Sequence, residues 1–160
     1  MVDGPARRGA GDAVIKSVND TNVWITGINW DRGAGYRIRL HWETGRFQHF
    51  ISAEILYEII RVLRKVFEYS DESLYDWYWL LLTGSVFVVP RVIINVIRED
   101  PDDNKFLACA VEGNADYIVS EDHDFKRLGA YDSIVMLGKQ EFLRVLETVD
   151  EEQCLKQKIP

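Results

Sequence analysis

The chain alternates short apolar runs with amphipathic stretches, a pattern typical of strands that alternate with helices. Apolar runs predict strands near positions 14–18, 47–51, 86–89, 117–119 and 134–136. A turn or short helix is expected after Asp20, and helical periodicity predicts helices over 35–44, 53–69, 71–82, 103–112 and 140–148. Such alternation implies an α/β fold with a central parallel sheet of about five strands and right-handed crossovers.

Polar segments flank this pattern at both ends. Residues 1–12 are rich in Gly, Asp and Arg, and we expect them to be flexible. Residues 13–149 carry the strand and helix pattern, and residues 150–160 begin with acidic positions that suggest a C-terminal tail. A chain of 160 residues fits a single domain between these segments.

The predicted helix over 71–82 is apolar around most of its circumference. Between positions 75 and 82 its only charged residue is Asp76. A helix that is apolar on all sides must be buried on all sides. We therefore expect a homodimer formed through positions 75–82 or through the helix over 53–69. The alternative is that the helix packs between the sheet and its neighbour. The uncharged run 77–90 is shorter than the ~20 residues of a membrane span, so no membrane association is expected.

Composition narrows the class of protein. The chain is 47% hydrophobic, which supports a sizeable core, and it carries a net charge of −7. That balance argues against a generally basic nucleic-acid binder, because phosphate contacts need clustered Lys and Arg. It does not exclude an acidic metal site that is bordered by a few basic residues. Cys109 and Cys154 form no disulfide or metal pattern, and a reducing, cytoplasmic location fits them best.

Acidic residues lie at or near the predicted carboxyl ends of strands. Asp20 follows the first strand, Asp122 follows the strand at 117–119, and Asp103 opens a helix. In open α/β sheets, ligands bind beyond the carboxyl ends of the strands. Carboxylates that meet there repel one another unless a cation neutralises them, and Mg²⁺ prefers oxygen ligands. The pattern therefore suggests metal-assisted hydrolysis or phosphoryl transfer.

Each acid also has an ordinary structural explanation. Asp20 suits a helix N-cap or an Asx-turn, and Asp103 suits a cap at a helix start. Asp122 fits a polar loop, and Glu58 fits the solvated face of the helix over 53–69. It is their joint placement that favours a cation.

Four segments resemble a PIN domain, specifically the toxin components of toxin–antitoxin systems related to VapC-type ribonucleases. They are Asp-Thr-Asn-Val at 20–23, Ser52 followed by Glu58, Asp-Pro-Asp-Asp-Asn at 100–104, and Ala-Asp-Tyr-Ile-Val-Ser-Glu-Asp-His-Asp-Phe at 115–125. The resemblance spans about residues 14–146. Asn19 departs from it, because the family usually has an apolar residue before the first acid. A polar group there either ends the strand early or points to the site.

The resemblance implies a three-layer α/β/α fold that binds Mg²⁺ or Mn²⁺. Its metal-binding acids correspond to Asp20, Glu58, Asp103 and Asp122. We expect Asp20, Asp103 and Asp122 to be ligands, directly or through water, while Glu58 completes the set or acts on a metal-bound water. Accessory positions by resemblance are Asn22, Ser120 and Asp124.

The implied activity is that of a metal-dependent endoribonuclease, the toxin of a type II toxin–antitoxin system. Its expected partners are RNA, a cognate antitoxin protein and a second copy of the chain. Arg61, Arg64 and Lys65 are candidates for RNA contacts, although solvated surface charge explains many such residues. One alternative is a non-catalytic PIN-like module that binds protein or RNA. A phosphatase with an aspartyl nucleophile is less favoured, because Asn-Asp-Thr-Asn at 19–22 lacks the expected Asp-x-Asp.

Overall fold

The computed structural model describes residues 14–158 and shows a six-stranded sheet surrounded by helices. The segment expected to be flexible, 1–12, lies outside the described residues. The strands are β1 Lys16–Asn19, β2 Gln48–Ile51, β3 Val86–Phe87, β4 Tyr117–Val119, β5 Ala130–Tyr131 and β6 Ile134–Leu137. Their order across the sheet is β3-β2-β1-β4-β6-β5, and every pair is parallel except β5 with β6. The predicted α/β class and parallel sheet are confirmed.

Seven helices and one 3₁₀ turn accompany the strands in the described part of the chain. They are α1 Thr21–Asn29, α2 Gly33–Glu43, α3 Ala53–Lys65, α4 Asp71–Gly84, the 3₁₀ turn Pro101–Asp103, α5 Asn104–Gly113, α6 His123–Leu128 and α7 Lys139–Gln157. Helix α3 ends four residues before the predicted position, because Glu68 adopts a left-handed φ of 53° and the chain turns away.

The C-terminal helix is longer than the sequence pattern predicted. Helix α7 continues to Gln157, so residues 150–157 are helical where an acidic tail was expected. This segment contains Glu, Gln, Leu and Lys, which are good helix formers, and no Gly or Pro interrupts it.

Strand β1 occupies the middle of the sheet and carries a buried polar face. Ser17 and Asn19 are fully buried, and the Ser17 hydroxyl donates to Asn19 Oδ1 at 2.9 Å. On β2, His49 Nε2 accepts from the Trp24 indole at 3.2 Å and from the Asn19 backbone N–H at 3.3 Å. Burial lowers the pKa of His49 to about 3, so its ring is neutral. Asn19 is the last residue of β1, Ser17 holds its side chain within the buried network, and this network fixes the strand that precedes Asp20.

Helix α4 has one buried side and one exposed apolar side. Leu74 and Leu81 are buried, whereas Tyr75, Trp79 and Leu80 are 65%, 45% and 44% exposed. The buried side of α4 packs against α3 and β3, so the alternative that the helix packs between the sheet and its neighbour holds for that side, while these three side chains stay exposed. Among residues 14–158, no helix is both long and apolar enough to cross a membrane.

Candidate metal centre

Asp20 lies at the carboxyl edge of the sheet and serves as the N-cap of α1. Its Oδ1 accepts from the Val23 backbone N–H at 3.0 Å, and its Oδ2 accepts from the Ser120 hydroxyl. Strands β1 and β4 are parallel neighbours, so the residues that follow them meet at this edge. Burial raises the pKa of Asp20, and the hydrogen bonds from Ser120 and Val23 partly offset this rise.

Ser120 connects Asp20 to the turn that carries the next two acids. Its Oγ accepts from the Asp122 backbone N–H at 2.9 Å. Asp122 is in turn the N-cap of α6, because its Oδ1 accepts from the Asp124 backbone N–H at 2.8 Å. The Ser120 hydroxyl therefore orients both the Asp20 carboxylate, which follows β1, and the turn at Asp122, which follows β4.

Asp103 ends the 3₁₀ turn, and Asn104 holds that turn in place. The Asn104 side chain accepts from the backbone N–H groups of Val96 and Ile97 at 2.9 and 3.0 Å. It also donates to the carbonyls of Ile97 and Pro101 at 2.8 and 2.9 Å. Four hydrogen bonds from one buried amide therefore fix the loop from which Asp103 projects.

Three carboxylates converge beside this edge of the sheet. One oxygen each from Asp103, Asp122 and Asp124 lies within 4.8 Å of the other two. Burial, together with the nearby charges of Asp100 and Asp122, raises the pKa of Asp103 from 3.8 to about 7. The local surroundings therefore disfavour a negative charge on Asp103 unless a positive charge compensates it.

The donor set fits a hard divalent cation. Asp103 Oδ2 is buried and has no hydrogen-bond partner anywhere in the described part of the chain. A buried carboxylate oxygen without a donor is costly unless it binds a proton or a cation. Carboxylate oxygens are the ligands that Mg²⁺ prefers. Asp103, Asp122 and Asp124 are thus the residues that would hold such an ion.

Glu58 lies beside this group, and both of its carboxylate oxygens are occupied. Its Oε2 accepts from the Thr21 hydroxyl, and its Oε1 lies 2.9 Å from Lys105 Nζ. The same ammonium lies 2.5 Å from Asp102 Oδ2. Glu58 therefore contacts Thr21, the residue after Asp20, and is not one of the three convergent carboxylates.

Lys105 was not among the site residues predicted from the sequence. The available signal was its spacing of three positions from Asp102, which allows the two side chains to pair across a helical turn. Nothing in the sequence indicated the contact with Glu58, because 47 positions separate the two residues.

The remaining predicted positions occupy varied surroundings. Asn22 is exposed in the first turn of α1. Arg61 is 60% exposed, and its guanidinium lies 3.9 Å from Glu58 Oε1. Arg64 instead pairs with Asp71 at 2.7 Å, and Lys65 is exposed at the end of α3. Arg61 is therefore the basic candidate that the structure places beside Glu58.

Comparisons with known proteins agree with this architecture. A family model described as PIN domain matches residues 16–124. A chain from the crystal structure of VapBC2 from Rickettsia felis, bound to a DNA fragment from their promoter, aligns with a TM-score of 0.54. The alignment covers 78% of this chain and 98% of that chain at 16% identity, which shows a shared fold. No curated protein sequence matches. Because the family model covers more than half of the sequence, the chain belongs to the PIN domain family.

Proposed function

We propose that this PIN domain is a metal-dependent endoribonuclease, the toxin of a type II toxin–antitoxin system, and that it hydrolyses phosphodiester bonds of RNA. One observation carries the proposal. Asp103, Asp122 and Asp124 converge within 4.8 Å, and a buried oxygen of Asp103 lacks a partner among residues 14–158. The family adds support, because many PIN domains cleave RNA with the help of Mg²⁺ or Mn²⁺.

The role proposed for each residue follows from its contacts at the site. When bound, Mg²⁺ or Mn²⁺ activates water and neutralises the charge that develops on the phosphate. Asp103 and Asp122 are proposed ligands, Asp124 adds a third carboxylate, and Asp20 joins them directly or through water. Ser120 orients Asp20 through its hydroxyl, and Thr21 and Lys105 hold Glu58, which would act beside the ion rather than as one of its ligands.

The surface beside Glu58 is the proposed RNA contact. A cavity of about 390 Å³ there is lined by Glu54, Tyr57, Glu58, Arg61, Asp102 and Lys105. Lys105 already pairs with Glu58 and Asp102. Arg61 is exposed and can donate to phosphate oxygens, and Tyr57 is 65% exposed and offers a face on which a base can stack. With a net charge of −7, RNA binding has to depend on such local contacts.

Two protein partners complete the proposal. The apolar side of α4, formed by Tyr75, Trp79 and Leu80, is the proposed homodimer surface, because exposed apolar patches mark interaction sites. A cognate antitoxin is the second partner, as expected for a toxin and in keeping with the similarity to a chain of a VapBC2 complex. We place the protein in the cytoplasm, where both its RNA substrate and a reducing environment for its two free cysteines are found.

A cleavage assay tests the proposal. Purified protein is incubated with mixed RNAs in Mg²⁺, in Mn²⁺ or in EDTA, and the products are separated on a denaturing gel. We expect endonucleolytic fragments with either metal and intact RNA with EDTA. RNA that remains intact in all three conditions would contradict the proposal and favour a non-catalytic PIN-like binding module.

A further inference from the structure

Lys105 is a nearly buried cation inside the acidic site. Its side chain is only 7% exposed, and its Nζ lies 2.9 Å from Glu58 Oε1 and 2.5 Å from Asp102 Oδ2. The ammonium therefore bridges two carboxylates from separate elements, Glu58 on α3 and Asp102 in the 3₁₀ turn.

The bridge divides the acids of the site into two groups. Glu58 and Asp102 contact the ammonium directly. The second group consists of Asp103, Asp122 and Asp124. In this group, the Arg127 guanidinium lies 3.7 Å from Asp124 Oδ1, but no group in the described chain donates to the buried Asp103 Oδ2. The first group therefore has a positive charge at hydrogen-bonding distance, whereas the buried oxygen of Asp103 has no donor.

We propose that Lys105 is a built-in cation that takes the place of a second metal ion, so that the site binds a single divalent cation through the Asp103 group. This inference rests on the proposed metal-dependent function. In two-metal sites the ions lie ~3.5–4 Å apart and share the surrounding carboxylates. A second ion between Glu58 and Asp102 has to displace the ammonium that occupies both of them. Lys105 is thus a positioning residue that holds Glu58 against Thr21 and sets the number of metal ions.

Mn²⁺ binding tests this directly. The ion count and affinity are measured by calorimetry and by the electron paramagnetic resonance signal of free Mn²⁺, with circular dichroism to confirm folding. Wild type and Lys105→Arg are expected to bind one ion per chain, because both keep a positive charge between Glu58 and Asp102. Lys105→Met keeps most of the aliphatic stem but removes the charge, and it is expected to bind a second ion. A Lys105→Met protein that binds one ion, or a wild type that binds two, would overturn the inference.

Glu58→Gln provides a second test that does not depend on the folding of Lys105→Met. If Lys105, rather than a metal ion, holds Glu58, this variant keeps one Mn²⁺ with its affinity nearly unchanged. A loss of Mn²⁺ affinity of about tenfold or more is typical of disturbing the ligands of a metal. That result would overturn this inference but leave the proposed function standing. A wild type that binds no Mn²⁺ would instead overturn the proposed function and this inference with it, so the two failures are distinguishable.

Discussion

The Ser120 hydroxyl donates to Asp20 Oδ2 although 100 positions separate the two residues. The contact exists because β1 and β4 are parallel neighbours that end at the same edge of the sheet. Asp20 is also the N-cap of α1. Asp20 therefore starts a helix at the edge of the sheet and is not one of the three convergent carboxylates, so its role as a cap is observed and its role toward a metal is the proposed one.

Replacing Ser120 with alanine tests the value of this contact. The Ser120→Ala variant loses the donor to Asp20 and the acceptor for the Asp122 backbone N–H, so both acids lose orientation. We expect metal-dependent cleavage to fall by about 10–100-fold, the usual effect of removing a group that orients metal ligands. Ser133→Ala, at an exposed position between β5 and β6, is the matched control. Equal cleavage rates for the two variants would show that the Ser120 contact is dispensable.

The stability of the metal-free protein should depend on pH through Asp103. Its pKa is raised from 3.8 to about 7, so between these values the folded protein holds a proton that the unfolded chain has released. The free energy of unfolding therefore falls as pH rises through this window. Asp103→Asn removes the part of this pH dependence that comes from Asp103. The pKa of Asp20 is also raised, so Asp20 still lowers the free energy of unfolding as pH rises.

Thermal denaturation in EDTA at about pH 5 and about pH 8 measures this effect. We expect a smaller decrease in melting temperature for Asp103→Asn than for wild type. At the higher pH the variant should be at least as stable as wild type, because it relieves repulsion among the acids. The same decrease in both proteins would mean that Asp103 does not carry the unfavourable charge.

Asn104 should matter for stability more than its neighbours on the same loop. Asn104→Ala leaves the backbone groups of Val96, Ile97 and Pro101 without their side-chain partner. Each buried group left unpaired costs about 1–3 kcal/mol. Chemical denaturation should show a clear loss for Asn104→Ala and almost none for Asn95→Ala, which alters an exposed residue. Similar stabilities for the two variants would contradict the assigned role of Asn104.

The proposed homodimer depends on the apolar side of α4. Trp79→Ser removes an aromatic side chain from this surface, and large aromatic residues dominate many interfaces. We expect dimerisation to weaken by about tenfold or more, measured by light scattering over a range of micromolar concentrations. Tyr57→Ser makes a comparable change on α3 and distinguishes the two predicted surfaces. A wild type of strictly monomeric mass would contradict the dimer itself.

The sequence predicted those parts of the fold that depend on local pattern. The apolar runs at or near β1, β2, β4 and β6 stand out from their neighbours, and parallel strands end at one edge. That is why Asp20 and Asp122 could be placed there in advance. Helix α1 was harder to recognise because its sequence contains β-branched residues and Gly27, which disfavour helices. The burial of Trp24 and Ile28 outweighs that local preference.

The candidate site was less predictable where it depends on contacts between distant segments. The sequence could not show that Lys105 reaches Glu58, since only the packing of α5 near α3 brings them together. It also did not show that Asp124, expected as an accessory acid, joins Asp103 and Asp122 as closely as it does. That grouping follows from the tight turn in which Asp122 caps the helix that carries Asp124.

The most direct test of the account compares RNA cleavage by wild type, Asp103→Asn and Asp132→Asn in Mn²⁺ and in EDTA. Asp132 is exposed and adopts a left-handed φ of 50°, which Asn tolerates, so Asp132→Asn removes one carboxylate far from the proposed chemistry. The account predicts Mn²⁺-dependent cleavage by wild type and by Asp132→Asn, and none by folded Asp103→Asn. Cleavage by Asp103→Asn at the wild-type rate, or cleavage by wild type in EDTA, would contradict it.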